Sequence, residues 1–401
     1  MLPPTYVEFI RKFRPFLFDY VQEDINKLVS TDNCPDTIGW DDVAESRMRQ
    51  CLQATEAKML EEAAKFHNVD TEAVKPIFEM EKTSGRFGFL AQQVQFEYYC
   101  LFNFMLNGEK VFHFSDNLVE HLAHTDINMN ASYIQLPFPS CLFVLTSETA
   151  INALHNIRGK EGRISMNNNK IDYTAPISVF VTLRPVGLGM KGNKLVILAF
   201  HARLPNRSYL TTKRELYLNE EWNLEQALRT DWDTLSPDNS GYGHFANSDE
   251  CTSDKVGDDL FYTDGLLFFR IVLNAILYLS SEHAETQAIK SQRPELEAKA
   301  KEILSAPKRQ KILKNAAQHS SLNYDEVGGS IGKIIIKYNE GDESGIVGVG
   351  GGEPNVRFKV RGHWRGQAFG PGGIERKIIW IRPYWKGPDL AKEINKPYLV
   401  E

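Results

Sequence analysis

Gly328-Gly-Ser330-Ile-Gly332 has the spacing of a nucleophile elbow, which lifts a serine on a tight turn between a strand and a helix. Such a serine needs a base, and only His363 lies downstream to supply one. The residues that follow, Lys333 to Tyr338, read as a strand instead of the helix an elbow requires. A glycine turn before a strand accounts for the motif, and no catalytic residue is assigned. His113, His121 and His124 stand near Asp116 and Glu120, all donor types for a metal. His121 and His124 share a helix face, but a zinc-hydrolase motif needs histidines four apart with glutamate between them. This stretch has neither feature, so no metal is expected. Gly187 to Lys194 lacks the Gly-Lys-Ser/Thr that grips phosphate and magnesium. It reads as a hairpin turn. Gly348 to Gly352 precedes a strand where a dinucleotide needs a helix N-terminus, and no cofactor is expected.

The C-terminal segment is richer. Residues 356 to 387 hold Arg357, Lys359, Arg361, Arg365, Arg376, Lys377, Arg382 and Lys386 against one acid, Glu375. That is +7 in 32 residues, whereas the whole chain carries −6, leaving −13 for the remainder. Trp364, Trp380 and Trp385, three of the six tryptophans, lie in the same stretch. Strand alternation places Arg357, Lys359 and Arg361 on one face and Phe358, Val360 and Gly362 on the other. The second strand alternates less cleanly, with Ile379 and Ile381 opposite Trp380 and Arg382. A ribbon with one basic, aromatic face can hold phosphates while aromatics stack on bases. It can equally hold a peptide, with arginines on carboxylates and tryptophans forming pockets. The expected binding residues are Arg361, Gly362, His363, Trp364, Arg365, Arg376, Trp380, Arg382, Pro383 and Trp385. His363 with Glu375 would be the acid–base pair if the ribbon cleaved RNA.

The elements that must position this segment follow from periodicity. Residues 1–130 read as helical: Tyr6, Phe9, Ile10 and Phe13 recur at helical spacing, as do Leu17, Tyr20 and Val21. Ala54 to Phe66 is rich in helix formers, and Phe89 to Leu106 ends at Asn107-Gly108, a helix stop. Residues 131–340 form the expected core domain. Ile134 to Leu145, Ile177 to Leu183, Lys194 to Leu204 and Tyr209 to Leu218 are β-branched and aromatic runs with short connections, so an antiparallel sheet is expected. A helix near Leu224 to Leu228 and a polar loop over Asp233 to Asp258, with six acids and one lysine, come next. Leu266 to Leu279 is a 14-residue apolar run containing Arg270 and Asn274, too short for a bilayer and read as a buried helix. A charged helical arm spans Pro294 to Ala317. Residues 341–353, with six glycines in Gly341 to Gly352, read as a connector to the ribbon at 354–401. The fold class is α+β, with an N-terminal helical region, a central antiparallel sheet packed on the apolar helix, and a basic C-terminal β-ribbon.

With 42% apolar and 24% charged residues, the chain is globular and not disordered. Five cysteines without a C-x-x-C pair suit reduced thiols, and early charges such as Glu8, Arg11 and Lys12 interrupt any leader-like run. A cytoplasmic protein with no membrane partner is expected.

Arg361-Gly-His-Trp364, the glycine-rich turn and the basic strand with Trp380 and Pro383 resemble the C-terminal signature of a family spread through phages and plasmids. Its best-known member is an anti-CRISPR protein directed against the type V-A effector nuclease. The Pro-led strand Leu136 to Leu145 and the apolar helix Leu266 to Leu279 are similar in the same order, so the resemblance spans about 134–387. The resemblance implies a mobile-element inhibitor of host defence that binds the nascent N-terminal peptide of the effector and suppresses its production, with loss of the mRNA. It also implies that Arg361, Gly362, His363, Trp364, Trp380 and Pro383 take part in recognition. The residues themselves leave open an RNA-binding or RNA-cleaving regulator, with RNA or ribosome-associated mRNA as partner, and a phage structural or host-takeover protein.

Overall fold

The computed structural model describes residues 2–31, 34–83, 90–160, 170–186, 192–204, 209–234, 255–332, 356–386 and 392–393. The connector expected at 341–353, most of the Gly187 to Lys194 turn and most of the Asp233 to Asp258 loop lie outside these residues.

Helices α1 (Tyr6–Phe13), α2 (Phe16–Val29), α3 (Glu45–His67), α4 (Thr71–Thr83) and α5 (Leu90–Leu106) lead the chain. Thr5 and Glu8 form a capping box on α1, satisfying backbone N–H groups that a helix start leaves free. Glu8 also accepts from the Ser320 hydroxyl at 2.6 Å and the Ser321 amide at 2.8 Å, tying the N-terminus to a distant turn. Burial pushes the Glu8 carboxyl up, but these hydrogen bonds outweigh it and hold the group below its ordinary range. Gly108 stops α5 with φ +76°, as the Asn-Gly pair predicts.

Then follow β1 (Val111–Phe114), α6 (Asp116–Ala123), β2 (Ser140–Leu145), α7 (Glu148–Lys160), β3 (Lys170–Ile171), β4 (Ile177–Pro185), β5 (Asn193–Leu204), β6 (Tyr209–Leu218) and α8 (Leu224–Thr234). The chain continues through α9 (Lys255–Leu279), β7 (Thr286–Ile289), α10 (Arg293–Glu302), α11 (Ala306–Ala316) and β8 (Tyr324–Val327). The C-terminal strands are β9 (Val356–Val360), β10 (His363–Phe369), β11 (Glu375–Ile381), β12 (Tyr384–Lys386) and β13 (Lys392–Glu393).

The main sheet has the order β3-β5-β4-β2-β1-β8-β7, and β6 also pairs with β5. It is mostly antiparallel, as expected, but β1 runs parallel to both β2 and β8. Both faces are covered. Alternate residues of β5 enter two cores: Leu195, Ile197 and Ala199 meet α6, α7 and α9, whereas Val196, Leu198 and Phe200 meet α1, α2 and α5. Burial on both sides is why the central strands are continuous apolar runs and not alternating ones. The architecture is α+β.

The N-terminal helices thus form one layer on the sheet, with Tyr6 stacked on Phe200 at 4.0 Å. The helical reading of residues 1–130 missed β1, which lies within that stretch. Val-Phe-His-Phe is four residues long and buried on both faces, so it shows no alternation to read.

Candidate functional site

The R-G-H-W segment does not form one continuous strand. Strand β9 ends at Val360, β10 begins at His363, and the partner chain breaks at Arg382-Pro383 between β11 and β12. Pairing resumes on either side, with His363 opposite Ile381 and Val360 opposite Tyr384. The break has a cause. Gly362 donates its amide to the His124 carbonyl at 3.0 Å and accepts from the Asp126 amide at 2.9 Å, so it hydrogen-bonds the end of α6. A Cβ at Gly362 would collide with the Thr125 hydroxyl and lie 2.9 Å from Pro383 Cδ. Glycine is required by close approach. Beside it, Arg361 Nη1 pairs with Asp126 at 3.2 Å.

Trp364 and Trp380 face each other across the hairpin, rings 6.1 Å apart and 26° from parallel. Both point inward. Trp364 is 7% exposed and donates its indole N–H to Asn274 Oδ1 at 2.8 Å. Asn274, fully buried in α9, donates in turn to the carbonyls of Leu122 at 2.9 Å and Thr125 at 2.8 Å. Trp380 donates to Thr125 Oγ1 at 3.2 Å and packs edge-on against Tyr278 and His121. The polar residue in the apolar helix is therefore the hub that joins α6, α9 and the ribbon. A buried polar group stays satisfied this way, and its loss would be costly.

Paired residues in a ladder share a face, so Trp364, Trp380, Gly366 and Ile378 form the inner face of the β10–β11 hairpin. The outer face carries His363, Arg365, Gln367, Lys377, Ile379 and Ile381. The register separates only part of the basic set from the tryptophans. Alternation puts His363, Arg365 and Lys377 on the side away from Trp364 and Trp380, whereas Arg376, paired with Ala368, shares the side of Ile378 and Trp380. His363 and Arg365 are exposed. Lys377 donates to Glu282 at 2.7 Å, and that hydrogen bond holds the Glu282 carboxyl below its ordinary range. Arg376 is exposed near the tip opposite Ala368. Arg382 is exposed with its guanidinium 5.6 Å from the Trp380 ring centroid. Phe369 and Ile374, 39% and 84% exposed, flank the turn. Trp385 lies in β12 opposite Lys359, so it belongs to the second ladder of the ribbon.

The catalytic constellations do not assemble. His363 and Glu375 end opposite strands of the hairpin, six residue pairs apart, or about 20 Å at ~3.3 Å per residue. Ser330 follows β8, and its hydroxyl and amide donate to the two oxygens of Glu285 at 2.5 and 2.9 Å. His121 Nε2 meets the Gly332 carbonyl at 3.1 Å and His113 Nε2 the Thr146 hydroxyl at 3.3 Å, so the two rings are directed to different partners. Among the described residues no cluster of three donors suits a metal, and no helix is long and apolar enough to cross a membrane. Cys34, Cys51, Cys100 and Cys141 are free thiols.

Sequence reasoning did not find Thr125, Asp126, Asn274, Tyr278 or Glu282. Asn274 alone left a signal, as an amide inside an apolar run. The model of one protein family, the anti-CRISPR type V subtype A2 family (AcrVA2-like), matches residues 112–388. That span starts in β1 and takes in the whole hairpin. No curated protein and no solved structure matches the chain.

Proposed function

The chain belongs to the AcrVA2-like anti-CRISPR family, and from that membership we propose that it blocks a CRISPR effector by binding an N-terminal peptide of the nascent effector on the outer face of the β10–β11 hairpin. The proposed setting is the cytoplasm of a bacterial cell carrying the mobile element that encodes it. Binding there suppresses effector production without chemistry by this protein.

The observation that carries the reading is the division of the hairpin. Its tryptophans are held by Asn274 and Thr125, which fixes the ribbon on the core and leaves His363 and Arg365 exposed on the other side. A peptide binder benefits from such preorganisation, because the surface loses little entropy when it is occupied. Arg365, with Arg376 and Arg382 at the rims, supplies forked donors for carboxylates and backbone carbonyls. Ile379, Ile381 and Gln367 between them offer apolar and amide contacts.

The test is binding of synthetic peptides from type V effector N-termini to the intact protein, against scrambled controls. Peptide-specific binding that is lost when Arg365, Arg376 and Arg382 are replaced by alanine supports the reading. Equal binding of scrambled sequences, or none at all, rejects it.

A further inference from the structure

We propose that the α10–α11 helical hairpin, and α11 above all, is a second binding surface that takes the phosphate backbone of a nucleic acid. Residues 290–318 hold Lys290, Arg293, Lys299, Lys301, Lys308, Arg309, Lys311 and Lys314 against Glu295, Glu297 and Glu302. The charge is one-sided in α11, where Lys308, Arg309, Lys311 and Lys314 stand with no acid. All four are exposed, and among the described residues none has an ion-pair partner. Arg293 on α10, by contrast, is paired with Glu297 at 2.8 Å.

The helix is not needed in this form by the core. Ala316 is its one buried residue and Ile312 is half-buried, while every other position faces solvent. Lys308, Lys311 and Lys314 recur every three residues, about 4.5 Å apart along the axis, where like charges repel each other. Nothing within the helix offsets that repulsion. An external polyanion would.

Three further features select a nucleic acid over other anionic partners. Gln310, Asn315 and Gln318 lie among the cations, and their amides suit phosphate and sugar oxygens. Protein interface cores are poor in lysine and rich in aromatics, whereas α11 has three lysines and no aromatic. A helix lying on a membrane needs a broad apolar face, and α11 has only Ile312 and Leu313. The surface is also separate from the ribbon. Glu282 meets Ile378 of the hairpin just before β7, while α10 begins beyond the far end of that strand.

The experiment is fluorescence anisotropy of labelled oligo-uridine and oligo-thymidine titrated with the full chain between 50 and 200 mM salt. Lys308→Gln, Arg309→Gln, Lys311→Gln and Lys314→Gln are combined in one variant whose fold is checked by thermal melting. Loss of four phosphate contacts is expected to weaken binding more than tenfold and to flatten the log–log salt slope by about 3. Lysine-to-arginine replacements at 308, 311 and 314 should keep the wild-type slope. Binding of either oligonucleotide in this pattern supports the site, and the tighter one identifies RNA or DNA as its source. Wild-type affinity and slope in the glutamine variant, no binding by the intact protein, or tighter binding of anionic vesicles or polyglutamate would overturn it.

Discussion

The inner and outer faces of the β10–β11 hairpin are built from neighbouring residues yet meet different surroundings. On the inner face, Trp364 and Trp380 end in hydrogen bonds to Asn274 and Thr125 and pack into the main core. On the outer face, His363 and Arg365 are exposed, and Lys377 reaches the surface carboxylate of Glu282 and the Phe369 ring. The comparison teaches that one short signature can serve two purposes, with strand alternation sorting the anchors from the contacts. Arg365 thus follows Trp364 in the sequence without sharing its face, whereas Arg382 lies 5.6 Å from the Trp380 ring centroid.

Variants can break this division, and the inner face should respond most. Trp364→Ala should lower stability by about 3–5 kcal/mol, the usual cost of truncating a buried tryptophan, measured by denaturant unfolding. Asn274→Leu keeps the volume but leaves the Trp364 indole and the Thr125 carbonyl unpaired, while the Leu122 carbonyl keeps the Thr125 amide, for a loss of about 3 kcal/mol where each such unpaired group costs roughly 1–3 kcal/mol. Gly362→Ala forces a methyl against Thr125 and Pro383 and should cost about 1–3 kcal/mol, the range for overpacking.

A smaller effect comes from acid. Burial keeps His113 neutral by lowering its pKa, so its contribution to stability is complete above the unfolded value near 6.5 and declines as pH falls below it. Glu8 is depressed by its hydrogen bonds, so its contribution is complete above its unfolded value of about 4.5 and is lost as pH falls through the lower folded value. Melting temperature should therefore drop in two stages on acidification, and the first should be absent in His113→Gln. The outer face should matter least to stability: Arg365→Ala is expected within about 0.5 kcal/mol of wild type, while peptide affinity falls about tenfold, the equivalent of one charged contact worth ~1.4 kcal/mol.

Local periodicity made much of the scaffold legible. Strand β6 was read at its observed bounds, and α1, α2 and α5 were visible from apolar spacing. Strands β1, β7 and β8 were not, because each has four residues and their pairing joins segments as much as 213 positions apart, as at Phe112 with Asp325. At the site, the basic and aromatic content of the ribbon could be read, and so could the family signature, close to the matched span of 112–388. Which face each residue takes could not. The register that sets Trp364 against Trp380 is fixed by the turn at Gly370 to Gly373, and the inward direction is fixed by Asn274 some ninety residues earlier. A polar residue in an apolar run signals a buried partner without naming it.

The most direct test of the account measures, in one preparation, unfolding stability and affinity for an effector N-terminal peptide in the Arg365→Ala, Arg376→Ala, Arg382→Ala variant and in Trp380→Phe. The account predicts that the triple variant keeps wild-type stability and loses sequence-specific binding, whereas Trp380→Phe loses about 1 kcal/mol of stability, the value of one hydrogen bond, and still binds. A triple variant that binds as wild type would contradict it.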